Sequence, residues 1–168
     1  VELRQYFDGR RPVVLQIGYL KCPMLCTMVL NDLVKGLKKV DWTVGDEFDV
    51  ISVSVNPLET HELAKVKKDG YARPGSAKGW HFLTGPAEIG KAVAEATGFA
   101  FRYVPETGEY AHAAVVILCT PDGRVSRYLY GVKYEPKDIK MGLLEASEGR
   151  MGTTLERILL WCHVYDPN

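Results

Sequence analysis

Much about this chain follows from what it has little of. Lys+Arg and Asp+Glu both number 21, so no excess charge of one sign draws it to a phosphate backbone, and nucleic acid is not expected as a partner. Long hydrophobic runs are missing. The longest apolar stretch, Ala111 to Cys119 interrupted by His112, falls far short of the roughly 20 residues that cross a bilayer, and no basic-then-apolar leader opens the sequence. Its 4 cysteines are too sparse for a disulfide scaffold, and only Cys22 and Cys26 are neighbours in sequence. Repeats, low-complexity tracts and linkers are absent. What remains, 168 residues with 46% hydrophobic and 25% charged content, describes one globular domain over 1–168. The chain starts at Val1 without a methionine, directly before a strand pattern, so an upstream strand and a membrane anchor are expected to precede it.

The most informative segment is Cys22-Pro23-Met24-Leu25-Cys26. It follows the strand-like run Val13-Val14-Leu15-Gln16-Ile17-Gly18-Tyr19 and opens an amphipathic helical pattern over about 23–39. With a helix beginning near Pro23, whose fixed φ suits a first turn, the two thiols lie four residues apart on one side, where they can share a metal or a disulfide. Free amides and the macrodipole at that end favour a thiolate, which is both nucleophile and soft ligand. The stripe Cys22, Cys26, Val29, Leu33, Leu37, Val40 puts the sulfurs at the end of the face that packs on a sheet. Two cysteines at this spacing can also be small core residues; the strand-to-helix position favours chemistry.

Elsewhere the patterns alternate. Glu47 to Val55 reads as a second strand ended by Asn56-Pro57, about 60–69 as a short helix, Ala72 to Gly79 as a loop, and Trp80-His81-Phe82-Leu83 as a strand. A helix from Thr84-Gly85-Pro86 to about Thr97 is expected to turn Ile89, Val93 and Ala96 inward and to stop at Gly98. Phe99 to Val104 forms a short strand, 105–108 a turn, and Ala113 to Cys119 a continuous apolar strand of central type. Pro121-Asp122-Gly123 turns into an antiparallel strand, Arg124 to Tyr130. A helix at about 136–147 packs Ile139, Leu143 and Leu144 inward. The stripe Leu155, Ile158, Leu159, Cys162, behind the capping box Thr153 and Glu156, predicts a last helix over 154–163. This order is an α/β, thioredoxin-like architecture: a central mixed sheet flanked by helices, with a C-terminal helical extension.

Read in order, Pro12-Val13-Val14-Leu15, Gly18-Tyr19, Cys22-Pro23-x-x-Cys26, Ser52-Val53-Ser54-Val55-Asn56-Pro57-x-x-Thr60, Phe82-Leu83-Thr84-Gly85, His112 before a strand, and Pro121-Asp122-Gly123 make the chain resemble the SCO/SenC family of copper-binding proteins of cytochrome c oxidase assembly. The resemblance implies copper, as Cu(I) or Cu(II), held by the Cys22 and Cys26 thiolates and the His112 imidazole. It implies a metallochaperone that delivers copper to the dinuclear copper site of the oxidase's copper-bearing subunit. It also implies an extracytoplasmic setting, periplasmic or on the outer face of a bacterial membrane, with the domain tethered to that membrane. Two thiolates and an imidazole form a soft set suited to Cu(I), and zinc fits only with a fourth ligand. Other copper chaperones or thiol reductants are further partners on this reading. The 73–79 loop and the 106–111 turn are expected to form the docking rim.

The alternative is a thiol–disulfide oxidoreductase or redox sensor in which Cys22 attacks and Cys26 resolves, reducing the oxidase copper-site cysteines. A peroxiredoxin reading is weaker still, since Tyr19 stands where a threonine is expected three residues before the nucleophile. Two positions depart from the family pattern: Met24 replaces a common acid between the cysteines, with helix packing as its expected role, and Asn56 replaces a common aspartate. Cys119 and Cys162 are expected in the core. His61, His81 and His163 are expected to be non-ligands, the last because adjacent helical residues diverge by about 100°. Tyr103, Tyr110, Tyr128 and Tyr130 suit strand faces.

Overall fold

Val13–Gly18 forms β1 in the computed structural model of the chain, which describes residues 2–22, 24–72 and 75–151. All six residues are buried, as an almost unbroken apolar run requires when both sheet faces are covered. Helix α1 (Leu25–Leu37) carries the chain across to β2 (Asp49–Ser54), which lies parallel to β1 with Val13 opposite Asp49 and Gly18 opposite Ser54. Helix α2 (His61–Tyr71) leads to β3 (Trp80–Leu83), parallel to β2 at one sheet edge. After α3 (Ala87–Thr97) and a hairpin of β4 (Phe101–Val104) with β5 (Glu109–His112), β6 (Val115–Cys119) pairs antiparallel with the other side of β1. β7 (Val125–Tyr130) pairs antiparallel with β6, giving the order β3-β2-β1-β6-β7, and α4 (Pro136–Ser147) follows. A mixed five-stranded sheet flanked by helices in this order is thioredoxin-like.

The strand period of two splits the core. Val14, Val50, Val116 and Leu118 meet Leu33 and Leu37 of α1 and Ile139 and Leu143 of α4 on one face. Val13, Leu15, Ile17, Ile51, Val53 and Ile117 meet Val93 and Ala94 of α3 and Phe99 on the other. Truncating a fully buried member such as Leu33 to alanine costs about 2–5 kcal/mol. Helix α1 also grips the segment before α4: Asp32 accepts the Tyr134 N–H at 2.7 Å. A Cβ on Gly36 would stand 2.7 Å from the Tyr134 carbonyl oxygen, so only glycine permits that approach.

Among the described residues the elements expected from sequence are present, with three differences. Helix α1 begins at Leu25 rather than Pro23, with Met24 as its N-cap at φ −134°, ψ −74°. The inward face of α3 is Gly90, Val93, Ala94 and Thr97, whereas Ile89 and Ala96 are exposed. The cause is Gly90, whose missing side chain lets the helix settle against Val55; a Cβ at this position would stand only 3.1 Å from the Val55 Cα. Third, Glu109–His112 is a strand, where the sequence reading assigned no element and suggested only that Tyr110 suits a strand face. It pairs with β4 outside the main sheet and is held by aromatic contacts, Tyr103 against Tyr110 at 5.2 Å and Phe101 against Tyr110 at 6.0 Å between ring centroids. The helix expected over 154–163, with Cys162 and His163, lies outside the described residues.

Candidate functional site

The carboxyl ends of parallel strands are where α/β sheets open to ligands, and β1 ends there at Gly18, followed by Tyr19 to Cys22. Gly18 has no side chain for a local reason. A Cβ would stand 2.8 Å from Cys26 Sγ and 2.8 Å from Gln16 Nε2, so the Cys26 sulfur occupies the space a side chain would need. The Tyr19 N–H points at the same sulfur from 3.5 Å.

The fold brings together the three residues singled out from sequence. Cys26 Sγ lies 3.2 Å from His112 Nε2 across a separation of 86 residues. The Cys26 N–H donates to Cys22 Sγ at 3.3 Å. His112 comes from the end of β5, the strand that sequence reading missed. Its Nδ1 is 2.9 Å from the Ala113 carbonyl oxygen, which can only accept, so the proton sits on Nδ1 and the Nε2 lone pair faces Cys26. Tyr19 and Phe99 frame the imidazole, with centroids 6.2 Å and 5.4 Å away. Among the described residues no three Cys, His, Asp or Glu side chains already surround a single ion position. Holding one ion in common therefore calls for side-chain adjustment among these residues.

Burial and hydrogen bonding divide the two thiols. For Cys22, burial pushes the pKa up, but the backbone amides of Cys26 and Met24 and the Tyr19 hydroxyl stabilise the thiolate and leave the net shift downward. For Cys26, burial dominates and the thiol is pushed up to about 12. Burial also lowers the His112 pKa, only partly offset by the Ala113 carbonyl, which keeps the imidazole neutral at pH 7. Burial raises Tyr19 in turn.

Sequence reading missed Glu59. It sits at one of the unspecified positions between Asn56-Pro57 and Thr60, and no spacing rule marks it. In the structure it is 5% exposed. Its carboxylate accepts the N–H groups of Leu20 and Lys21, both at 2.7 Å, and the Ser54 hydroxyl at 2.6 Å. One buried carboxylate thus fixes the two amides that lead into Cys22. Asn56 needs no charge for its own role: its Oδ1 accepts the Leu58 N–H at 3.0 Å and closes the turn.

The other candidates fall elsewhere. Cys119 pairs with Val13 at the far end of β1 and is buried, its thiol pushed up to about 12, so it is a core residue as expected. His61 is exposed and 3.0 Å from Glu62. His81 packs at a tilt against Tyr6, ring centroids 4.5 Å apart, opposite Ile51 on the edge strand β3. Of the two segments expected to form a docking rim, only one lies by the cysteines. The β4–β5 hairpin borders the cysteines through Tyr110, 5.5 Å from Tyr19. Residues 75–79, however, precede β3 and touch Gly45 and Asp49 at the opposite pole of the sheet, because parallel strands put all their leading loops at one end. Met24 does not pack as expected: it is 68% exposed. No helix among the described residues is long and apolar enough to cross a membrane.

Comparison with known proteins bears on the family and the fold. A family model described as SCO1/SenC matches residues 4–146. No curated protein matches the chain. Among solved structures, a protein of Aquifex aeolicus VF5 superposes with a TM-score of 0.78 at 24% identity, covering 92% of this chain and 87% of that one. BsSco, a member of the Sco family of cytochrome c oxidase assembly proteins with an identified disulfide switch, gives 0.65 at 27% identity, covering 88% and 85%. Arabidopsis thaliana ScoI, solved with copper bound, gives 0.67 at 20% identity, covering 84% and 87%.

Proposed function

The chain belongs to the SCO1/SenC family, and from that premise we propose that it is a copper metallochaperone. It holds one copper through Cys22, Cys26 and His112 and delivers it to the dinuclear copper site of cytochrome c oxidase. The observation that carries this reading is the 3.2 Å approach of Cys26 Sγ to a neutral, lone-pair-bearing His112 Nε2, with Cys22 Sγ one amide away. Two thiolates and an imidazole are soft donors that suit Cu(I) over oxygen-seeking ions. Copper is the cargo. The protein's part is to present three donors at the mouth of the sheet and to shed the thiol protons to water as the ion enters. Because burial keeps Cys26 protonated without a cation, loading weakens as pH falls. Release proceeds by ligand exchange: incoming thiolates of the oxidase subunit displace the neutral imidazole first. Such a role belongs on the extracytoplasmic side of a membrane, with the domain tethered there, and calls for an upstream copper chaperone or thiol reductant to reload it.

Titration of the fully reduced protein with Cu(I) against a competing chelator, alongside Cys22→Ser, Cys26→Ser and His112→Ala, tests the assignment. One tight copper, weakened in all three variants, supports it; binding indifferent to His112 removes it.

A second reading is favoured by the divided acidity of the thiols. Cys22, the more acidic, attacks a disulfide between the oxidase copper-site cysteines; Cys26 then closes the Cys22–Cys26 disulfide, and the target leaves as two thiols. The electrons come from this chain, so a thiol reductant must restore it. The disulfide switch of BsSco is consistent with such a pair. Trapping of a mixed disulfide through Cys22 in Cys26→Ser, and none in Cys22→Ser, distinguishes this reading.

A further inference from the structure

The chain has four methionines, at 24, 28, 141 and 151, and two of them are neighbours in space. The Met28 N–H donates to the Met24 carbonyl at 3.0 Å, so the two residues lie one turn apart at the start of α1, Met24 as its N-cap. Met24 is 68% and Met28 46% exposed, while Cys26, Val29, Leu30 and Leu33 on the other face of the same helix are buried. Packing therefore accounts for neither thioether. Met24 follows Cys22 by only two residues, so the pair begins beside the candidate site in the chain.

We propose that Met24 and Met28 form a surface capture site for a soft monovalent ion, Cu(I), which then passes to Cys22; this rests on the copper-delivery reading above. Each methionine has three rotatable bonds and a polarisable thioether, and a pair one turn apart can converge on one ion. Neutral thioethers select soft ions over hard ones. They bind weakly here for two reasons. They carry no charge, and the positive end of α1 has no acidic residue in its first turn to offset it. Weak binding suits a point from which the ion must leave. In the transfer the metal stays Cu(I): its bonds to thioether sulfur break as the bond to Cys22 Sγ forms, and the proton displaced from that thiol goes to water.

The test uses Ag(I), a soft monovalent ion without redox chemistry, and full-length protein carrying ¹³C-methyl methionine. In a variant combining Cys22→Ser, Cys26→Ser and His112→Ala, one equivalent of Ag(I) should shift the Met24 and Met28 methyl signals together. Met141 on α4, and Met151, whose sulfur lies 3.9 Å from the Arg124 guanidinium, are also exposed; they serve as internal controls and should not move. In the otherwise unaltered protein, Met24→Leu with Met28→Leu should slow Cu(I) loading from a weak donor by about tenfold, the rate equivalent of about 1.4 kcal/mol, and leave the final affinity unchanged. Methyl shifts at 24 and 28 no larger than those at 141 and 151, or an unaltered loading rate, would overturn the proposal. Absence of tight Cu(I) binding in the unaltered protein, with the Ag(I) shifts intact, counts against the copper-delivery reading and not against the methionine pair.

Discussion

Glu59→Ala should cost stability and loosen the approach to Cys22 without touching either cysteine. The carboxylate accepts two backbone N–H groups and one hydroxyl within 2.7 Å. Removing it strands the buried Leu20 amide, while the Lys21 amide lies nearer the surface, where water can reach it. A stranded buried donor costs about 1–3 kcal/mol and a water-rescued one much less, so the expected loss is about 2–3 kcal/mol. For a domain of this length it corresponds to a Tm drop of roughly 4–12 °C. Glu59→Gln keeps one acceptor oxygen but turns an NH₂ toward an amide donor, so it should fall between the wild type and alanine. Urea unfolding of the reduced proteins gives the free energies, and Cu(I) titration gives the consequence for the site. Loss of the clamp should weaken copper binding, because the loop must then be ordered by the ion. If Glu59→Ala unfolds within about 0.5 kcal/mol of wild type, the ordinary spread for surface changes, and binds copper equally well, the clamp has no such role.

Gly18→Ala should displace the Cys26 sulfur, because its Cβ would stand 2.8 Å away. We expect about 1–3 kcal/mol of destabilisation and weakened Cu(I) binding, read in the same two assays; a variant with normal affinity would refute the packing argument. Limited alkylation of the reduced protein at pH 7 should modify Cys22 ahead of Cys26 and Cys119, since hydrogen bonding lowers the first thiol while burial pushes the others up to about 12. Peptide mapping decides it, and early labelling of Cys26 would reverse the assignment of attacking and resolving thiols. Burial, with the charges of Lys68 and Arg11, depresses the His81 pKa below 6.5. Its stabilisation is therefore present above that value and lost as pH falls through the folded pKa. His81→Gln should flatten the stability profile as pH falls below about 6.5, and an unchanged slope in urea melts would exclude His81 as the source.

The main sheet was legible because its strands carry their own signal. Val13 to Gly18 and Val115 to Cys119 are apolar at every step but Gln16 and the glycine, and such runs are stable only between two covered faces. The β4–β5 hairpin was half hidden, since Glu109–His112 has one large apolar residue and depends on cross-strand aromatic contacts for its place. The facing of α3 was misread by one position because periodicity counts large apolar residues, whereas Gly90 docks by having no side chain at all.

By itself the sequence determined the CxxxC pair at a strand-to-helix junction, the alternation that builds an α/β sheet, and through resemblance the family. These are properties of neighbours in the chain, where period and spacing act directly. The 3.2 Å approach of His112 to Cys26, the split in thiol acidity, and the Glu59 clamp were decided only by tertiary structure. Each depends on burial or on groups far apart in sequence, and neither quantity exists until the sheet has closed.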